Sequence, residues 1–212
     1  MNHPPKTWTN PERNVYGFCD LSNIYVTLQN HSAHNGEAVR LHFANLNELM
    51  VGSGRRAAQP PLWVTSDAGP GRVSALCNHT ARLDVDLHIR PRLHGRESGV
   101  DEFLLDAIDC ALTTKPPSVL VIATGDGAGF HEGRGFLAAV HRARELGWAI
   151  ELLAWGVSCH RALRDFAQAG HGYTDLSNHR LSITYVEHGR RQIPISFKRR
   201  AIAAFPQHRA AA

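Results

Sequence analysis

The chain has 212 residues, of which 43% are apolar and 20% are charged. This share of apolar side chains is enough for one globular domain with a full core, and it argues against a chain that is disordered throughout. A formal net charge of +4 favours anionic partners, nucleic acid among them, without proving one.

The cysteines and the N-terminal segment exclude several other classes. The four cysteines form no C-x-x-C pair, so the sequence predicts neither a zinc knuckle nor a redox dithiol but reduced, mostly buried thiols. No apolar run is long enough for a secretion signal or a membrane span, so we expect a cytoplasmic protein with no membrane partner. The cysteines are Cys19, Cys77, Cys110 and Cys159.

Hydrophobic periodicity predicts alternating strands and helices along the chain. In chain order these are a strand at 15–19, helices at 24–29 and 38–50, a strand at 62–65, a helix at 73–81, a strand at 83–89, an exposed loop at 90–98, a helix at 101–112, a strand at 118–124, a helix at 136–146 and a strand at 148–155. This alternation predicts a doubly wound α/β sheet with its ligand site at the carboxyl ends of the strands.

The pattern changes after Asp175, where two further strands are predicted at 181–187 and 192–197 around a His188-Gly189 turn. We therefore divide the chain into an N-terminal extension (1–14), a main domain (15–178), a C-terminal hairpin (179–200) and a tail (201–212).

Three acidic residues occupy positions that suit a metal site. Asp20 and Asp126 each follow an apolar strand, and Asp101 opens a helix, so all three are expected at one edge of the sheet. Carboxylates held together repel one another unless a cation neutralises them, and oxygen ligands favour Mg²⁺ or Mn²⁺. Each acid alone also suits a structural role, as a helix cap, a turn former or a first-turn acid. Their joint placement favours the metal site.

Five segments, in the same order, resemble the motifs of the NYN domain family, which belongs to the PIN-like ribonuclease superfamily. They are 17–24 (GFCDLSNI, like D-x-x-N after strand one), 99–102 (GVDE, like K-x-V-D), 121–127 (VIATGDG, like (S/T)-G-D), 147–155 (GWAIELLAW, like G-x-x-V-E) and 173–176 (YTDL, like F-x-D-L). The segment after Asp126 lacks the second acid of the family's G-D-x-D-F pattern, and the lysine before V-D is absent.

The resemblance implies a fold, an activity and roles for individual residues. The implied fold is a PIN-like or Rossmann-like three-layer sandwich with a mainly parallel sheet, and 15–178 would be its nuclease domain. The implied activity is metal-dependent RNA hydrolysis, with Asp20, Asp101 and Asp126 as catalytic metal ligands and Glu132 standing in for the missing acid. Asn23 and Thr124 would orient the cluster or contact a phosphate.

The remaining candidates concern RNA contacts. Three arginines before Asp101 are placed to hold a phosphate backbone, although a charge run is also common on a solvated face; they are Arg90, Arg92 and Arg96. His131 is either a substrate-positioning residue or a solvated histidine. We expect RNA as the partner and leave a homodimer open. The alternatives to a ribonuclease are a catalytically weak or inactive RNA-binding module and a phosphatase or other small-molecule hydrolase. The glycine-rich loop lacks G-x-G-x-x-G and G-K-(S/T), which disfavours a nucleotide cofactor.

Overall fold

Strands and helices alternate through most of the computed structural model, which describes residues 14–31, 39–52, 59–67, 69–94, 96–125, 134–188 and 191–194. The strands are β1 (Val15–Asp20), β2 (Val39–Leu41), β3 (Leu62–Ser66), β4 (Asp86–Arg90), β5 (Arg92–Leu93), β6 (Arg96–Glu97), β7 (Val119–Ala123), β8 (Ala149–Ala154), β9 (Gly172–Asp175), β10 (Thr184–His188) and β11 (Arg191–Pro194). The helices are α1 (Leu21–Asn30), α2 (Phe43–Val51), α3 (Pro70–Thr80), α4 (Val100–Thr114), α5 (Phe136–Glu145), α6 (Arg161–Gln168) and α7 (Leu176–Ile183).

The central sheet has six strands in the order β4-β3-β1-β7-β8-β9. Every pairing in it is parallel. All residues of β1, β7 and β8 are buried, as expected for strands covered on both faces. The α/β class and the three-layer sandwich expected from the sequence are therefore confirmed.

Successive side chains of the central strands pack alternately into two hydrophobic cores, one on each face of the sheet. Phe18, Leu120 and Ile122 pack with α4, α5 and α6 on one face. Cys19 and Val121 pack with α1, α2 and α7 on the other. Because successive strand residues point to opposite faces, the continuous apolar runs in the sequence are what these two layers require.

Two small antiparallel sheets lie outside the central one. The first has the order β11-β10-β2, and the second consists of β5 and β6. The predicted C-terminal hairpin is present, and Tyr185 of β10 pairs with Arg40 of β2. The hairpin is thus joined by backbone hydrogen bonds to a segment near the start of the chain.

Several predicted boundaries were wrong because long-range pairing outweighs local pattern. The helix predicted at 38–50 is split into β2 and α2, since pairing with β10 extends the Val39–Leu41 backbone. The expected loop at 90–98 contains the last residue of β4 and the β5–β6 hairpin. The strand predicted at 181–187 begins only at Thr184, because 181–183 complete α7. Residues 195–197, predicted to end the last strand, lie outside the described residues.

The cysteines divide evenly between interior and surface. Cys19 and Cys159 are buried, whereas Cys77 and Cys110 are exposed, and all four are free thiols. The prediction that most of the cysteines are buried was therefore wrong. Among the described helices, none is long and apolar enough to cross a bilayer.

Candidate functional site

The strand order of the central sheet reverses between β1 and β7. From β1 the chain moves outward through β3 to β4, then returns to the other side of β1 to build β7, β8 and β9. The loops that leave two such neighbouring strands diverge and open a crevice at their carboxyl ends, where α/β folds bind ligands. Asp20 ends β1 at this point, and Thr124 and Gly125 follow β7.

Asp20 is the buried acid of this crevice, with 2% of its surface exposed. It caps α1, because its Oδ1 accepts a hydrogen bond from the backbone N–H of Asn23 at 2.9 Å. Its Oδ2 accepts one from the Thr124 hydroxyl at 3.4 Å. The capping role and the position at the switch point thus belong to the same carboxylate, and Thr124 lies where the sequence placed it.

Asn23 ties α1 to the end of β7. Its Oδ1 accepts the backbone N–H of Gly125 at 2.9 Å, while the carbonyl of Gly125 accepts the N–H of His160 at 3.0 Å. A Cβ at residue 125 would lie 2.9 Å from Ser158 Oγ and 3.1 Å from Asn23 Oδ1. Only glycine fits there without displacing a neighbour, so the backbone immediately before Asp126 is fixed on both sides.

Three of the predicted site residues lie in the segment 126–133, outside the described residues. They are Asp126, His131 and Glu132. The sequence places Asp126 directly after Gly125, which lies between the side chains of Asn23 and Ser158.

Asp101 lies in the first turn of α4, which packs against β1 and β3. Gly99 precedes the helix at φ 72°, a left-handed conformation that favours glycine. A Cβ on Gly99 would lie 3.4 Å from Nη2 of Arg90, the last residue of β4. The start of α4 therefore lies beside Arg90 at the carboxyl end of β4, and Asp101 is half-buried there with a charge that complements the helix dipole.

The three arginines before α4 have different environments. The guanidinium of Arg90 lies 5.2 Å from the centre of the Phe103 ring. Arg92 is exposed and donates from Nε to Ser66 Oγ at 3.2 Å. Arg96 belongs to β6, and its side chain is outside the described part of the structure. Of the two described guanidinium groups, that of Arg92 is the more open to solvent.

A cluster of hydroxyl groups beside Asp20 was missed by the sequence analysis. Ser22 Oγ lies 3.1 Å from Thr65 Oγ1 and accepts the backbone N–H of Ser66 at 2.8 Å. These residues link the first turn of α1 to the end of β3, and Arg92 extends the cluster. Serines at two strand ends were the available signal, but only the β1–β3 pairing brings them together.

The tetrapeptide D-L-S-N occurs at 20–23 and again at 175–178, each time where a strand passes into a helix. Asp175 caps α7 and accepts hydrogen bonds from the backbone N–H groups of Ser177 at 2.8 Å and Gly156 at 3.0 Å. It belongs to the edge strand β9, two strands away from β7. The first copy of D-L-S-N therefore lies at the switch point of the sheet, and the second copy lies away from it, at the end of the edge strand.

Cys19, next to Asp20, is not suited to nucleophilic or metal-binding chemistry. Burial, and secondarily the negative charge of Asp20, holds the pKa of its thiol well above the ordinary value. The thiol stays neutral near physiological pH, whereas both roles require a thiolate. The polar chemistry of the crevice therefore rests on oxygen ligands.

These oxygen ligands are of the type that hard divalent cations prefer. Asp20 and Asp101 are the two described acids that the sequence analysis assigned to the cluster. The described residues contain no group of three His, Cys, Asp or Glu side chains that could hold a metal ion. The third and fourth predicted ligands, Asp126 and Glu132, lie outside those residues, so this finding concerns only part of the predicted cluster.

Comparison with known proteins adds information about the fold alone. No protein-family model matches the chain, and no curated protein matches it significantly. The chain is similar to the crystal structure of a protein of unknown function, VPA0982 from Vibrio parahaemolyticus RIMD 2210633, with a TM-score of 0.59 and 11% identity over 79% of this chain and 95% of that one. At this identity the likeness is one of architecture.

Proposed function

We propose that the chain is a metal-dependent ribonuclease of the NYN kind, with its active site in the crevice between β1 and β7. The observation that supports this most is the placement of Asp20, a buried carboxylate at the switch point of the sheet, bonded to Thr124. The sequence puts Asp126 two residues after Thr124. Sequence motifs and strand order thus point to the same crevice.

The proposed metal ligands are Asp20, Asp101 and Asp126, with Glu132 as the substitute acid, and the ion is Mg²⁺ or Mn²⁺. Such an ion activates a water molecule and stabilises the charge that develops on a phosphodiester under attack. Asn23 and Thr124 hold Asp20 and the Gly125 backbone in fixed positions.

The roles proposed for the remaining residues concern the substrate. The arginines at 90, 92 and 96 neutralise the phosphates of the RNA strand. His131 keeps its predicted role beside the substrate. A cytoplasmic location and a homodimer stay predictions from the sequence.

The decisive experiment compares Asp20→Asn with Asp175→Asn. Both substitutions alter the helix cap of a D-L-S-N segment, so a general loss of stability affects both variants. We expect cleavage of labelled single-stranded RNA, stimulated by Mn²⁺ or Mg²⁺, to fall to background in Asp20→Asn and to persist in Asp175→Asn. Circular dichroism and thermal melts confirm that both variants are folded at the assay temperature.

The other functions considered for this fold predict different results in the same assay. Salt-sensitive RNA binding without turnover at any concentration of either metal would show a binding module. Turnover of free nucleotides or sugar phosphates with no action on RNA would show a small-molecule hydrolase. Cleavage that persists in EDTA or in Asp20→Asn would refute the proposal itself.

A further inference from the structure

A cavity of about 490 Å³ lies beside the proposed active site, between α1, α3 and the small sheet of β2 and β10. Its volume falls within the range of about 300–1,000 Å³ that is usual for small-molecule sites. Ser22 lines it at one end and Gln29 further along α1. Because α1 begins immediately after Asp20, the cavity starts beside the first turn of this helix, at the end of β3, and extends along the helix for about 10 Å, at a rise of about 1.5 Å per residue.

The end of the cavity nearest Asp20 is polar and positively charged. Ser22, Thr65 and Ser66 line it with hydroxyl groups, and Arg92 lines it with its guanidinium group. The bond from Arg92 Nε to Ser66 Oγ holds this guanidinium at the end of β3. An arginine among hydroxyl groups suits the oxygens of a phosphate.

The walls of the cavity carry several aromatic rings that are not fully buried. Tyr25 comes from α1, His79 from α3 and Tyr185 from β10, and Phe43 lies 6.1 Å from His79 between ring centres. Planar aromatic side chains are the usual partners of unpaired nucleobases, because every base has a face that can stack.

The charge of the cavity is also suited to an anionic ligand. Its described lining includes two arginines and one glutamate, Glu187. That glutamate is paired with Arg40, with 3.0 Å between Oε2 and Nε. The acid is thus neutralised at the far rim, while the charge of Arg92 faces the hydroxyl groups near the crevice.

We propose that this cavity binds one nucleotide of a single-stranded RNA, with its phosphate at Arg92 and its base between the aromatic walls. The assignment of RNA rests on the proposed function, whereas the match of the cavity to a nucleotide rests on its own lining. Bound in this way, the nucleotide lies next to the phosphodiester held at Asp20. The cavity therefore selects which base stands beside the cleaved bond.

Binding of nucleoside 5′-monophosphates in EDTA tests the cavity without requiring catalysis. Isothermal titration calorimetry with AMP, GMP, CMP and UMP is compared with ribose 5-phosphate and inorganic phosphate. We expect at least one nucleotide to bind about tenfold more tightly than ribose 5-phosphate, because only the nucleotide has a base that can stack on the aromatic side chains. Equal affinity for nucleotides and ribose 5-phosphate, or no binding at all, would overturn the proposal.

Two tryptophan substitutions on α3 provide a matched pair for locating the site. Ala75 lines the cavity and Cys77 lies about 200° further round the helix, and both are exposed. Ala75→Trp should fill the cavity and weaken nucleotide binding at least tenfold, whereas Cys77→Trp should leave it unchanged. Val26→Trp fills the cavity from the facing wall of α1 and should act as Ala75→Trp does. Undiminished binding in both cavity variants would refute the location.

Binding of a short single-stranded oligoribonucleotide in EDTA separates a site for RNA from a site for free nucleotides. If the oligomer binds at least as tightly as the mononucleotide and Ala75→Trp weakens both, the RNA assignment holds. If the mononucleotide binds and the oligomer does not, the RNA assignment is wrong. Because no metal is present, failure of metal-dependent cleavage leaves these results unaffected, and the two proposals can fail separately.

Discussion

Replacing Asn23 by alanine tests whether one side chain fixes the end of β7 beside Asp20. Asn23 Oδ1 accepts the backbone N–H of Gly125 at 2.9 Å in a partly buried place. In Asn23→Ala the Gly125 N–H loses its hydrogen-bond acceptor. For a buried group this loss lowers the free energy of unfolding by about 1–3 kcal/mol. For a chain of this size each kcal/mol lowers the melting temperature by about 2–4 °C.

The D-L-S-N repeat supplies an internal control for this measurement. Asn178 has the same place in α7 that Asn23 has in α1, three residues after a capping aspartate, but its side chain is exposed. Asn178→Ala should therefore change the free energy of unfolding by no more than about 0.5 kcal/mol. Urea denaturation of both variants, with equal slopes, measures the difference directly.

A third variant connects this hydrogen bond to the metal site. Asn23→Asp keeps an oxygen acceptor for the Gly125 N–H but adds a negative charge beside Asp20, which destabilises the protein when no cation is present. We expect Mn²⁺ to raise the melting temperature of Asn23→Asp more than that of the wild type. Equal losses in Asn23→Ala and Asn178→Ala would refute the structural argument, and an absent Mn²⁺ effect would refute the charge argument.

Three further predictions follow from other parts of the structure. Gly125→Ala should lower the free energy of unfolding by about 1–3 kcal/mol in urea denaturation, because its Cβ would lie 2.9 Å from Ser158 Oγ; an unchanged midpoint would contradict this. Asp101→Asn should raise the Mn²⁺ concentration that RNA cleavage requires, because a metal ligand is lost. Asp106→Asn, exposed on the same helix, should leave that concentration unchanged, and equal effects of the two substitutions would argue against a ligand role for Asp101. Burial, then the charges of Arg144 and His141, lowers the pKa of His171 from its usual 6.5. The unfolded chain therefore binds the proton more readily, and stability should fall as the pH drops below about 6.5. This loss of stability at low pH should be smaller in His171→Phe than in the wild type. Equal slopes of melting temperature against pH in the two proteins would refute the prediction.

The sequence alone was sufficient to predict the class of fold and the strands that carry the site. The runs at 15–19 and 118–124 are almost continuously apolar, which is the pattern of strands buried on both faces. The structure has strands at both places, and Asp20 and Gly125 lie where those strands end. The polar residues that follow such runs could be assigned to one edge because parallel strands share a direction.

Boundaries that depend on distant partners could not be predicted in this way. The segment at 39–41 continues a helical pattern into α2, but its backbone is extended because it pairs with β10. Likewise, the segment at 181–183 has the composition of a strand but completes α7. In both cases the competing local preferences differ by less than the free energy gained from tertiary contacts.

What the sequence by itself determined is the α/β class of the fold, most strands of the central sheet, and the acid and the threonine that directly follow β1 and β7. Only the tertiary structure decided that β1 lies between β3 and β7. This strand order brings Ser22 within hydrogen-bond distance of Ser66, and Asn23 within hydrogen-bond distance of Gly125. It alone also formed the cavity between α1, α3 and β10. The physical reason is that hydrophobic periodicity encodes which face of an element is buried, whereas the neighbour that buries it is selected by packing of the whole chain.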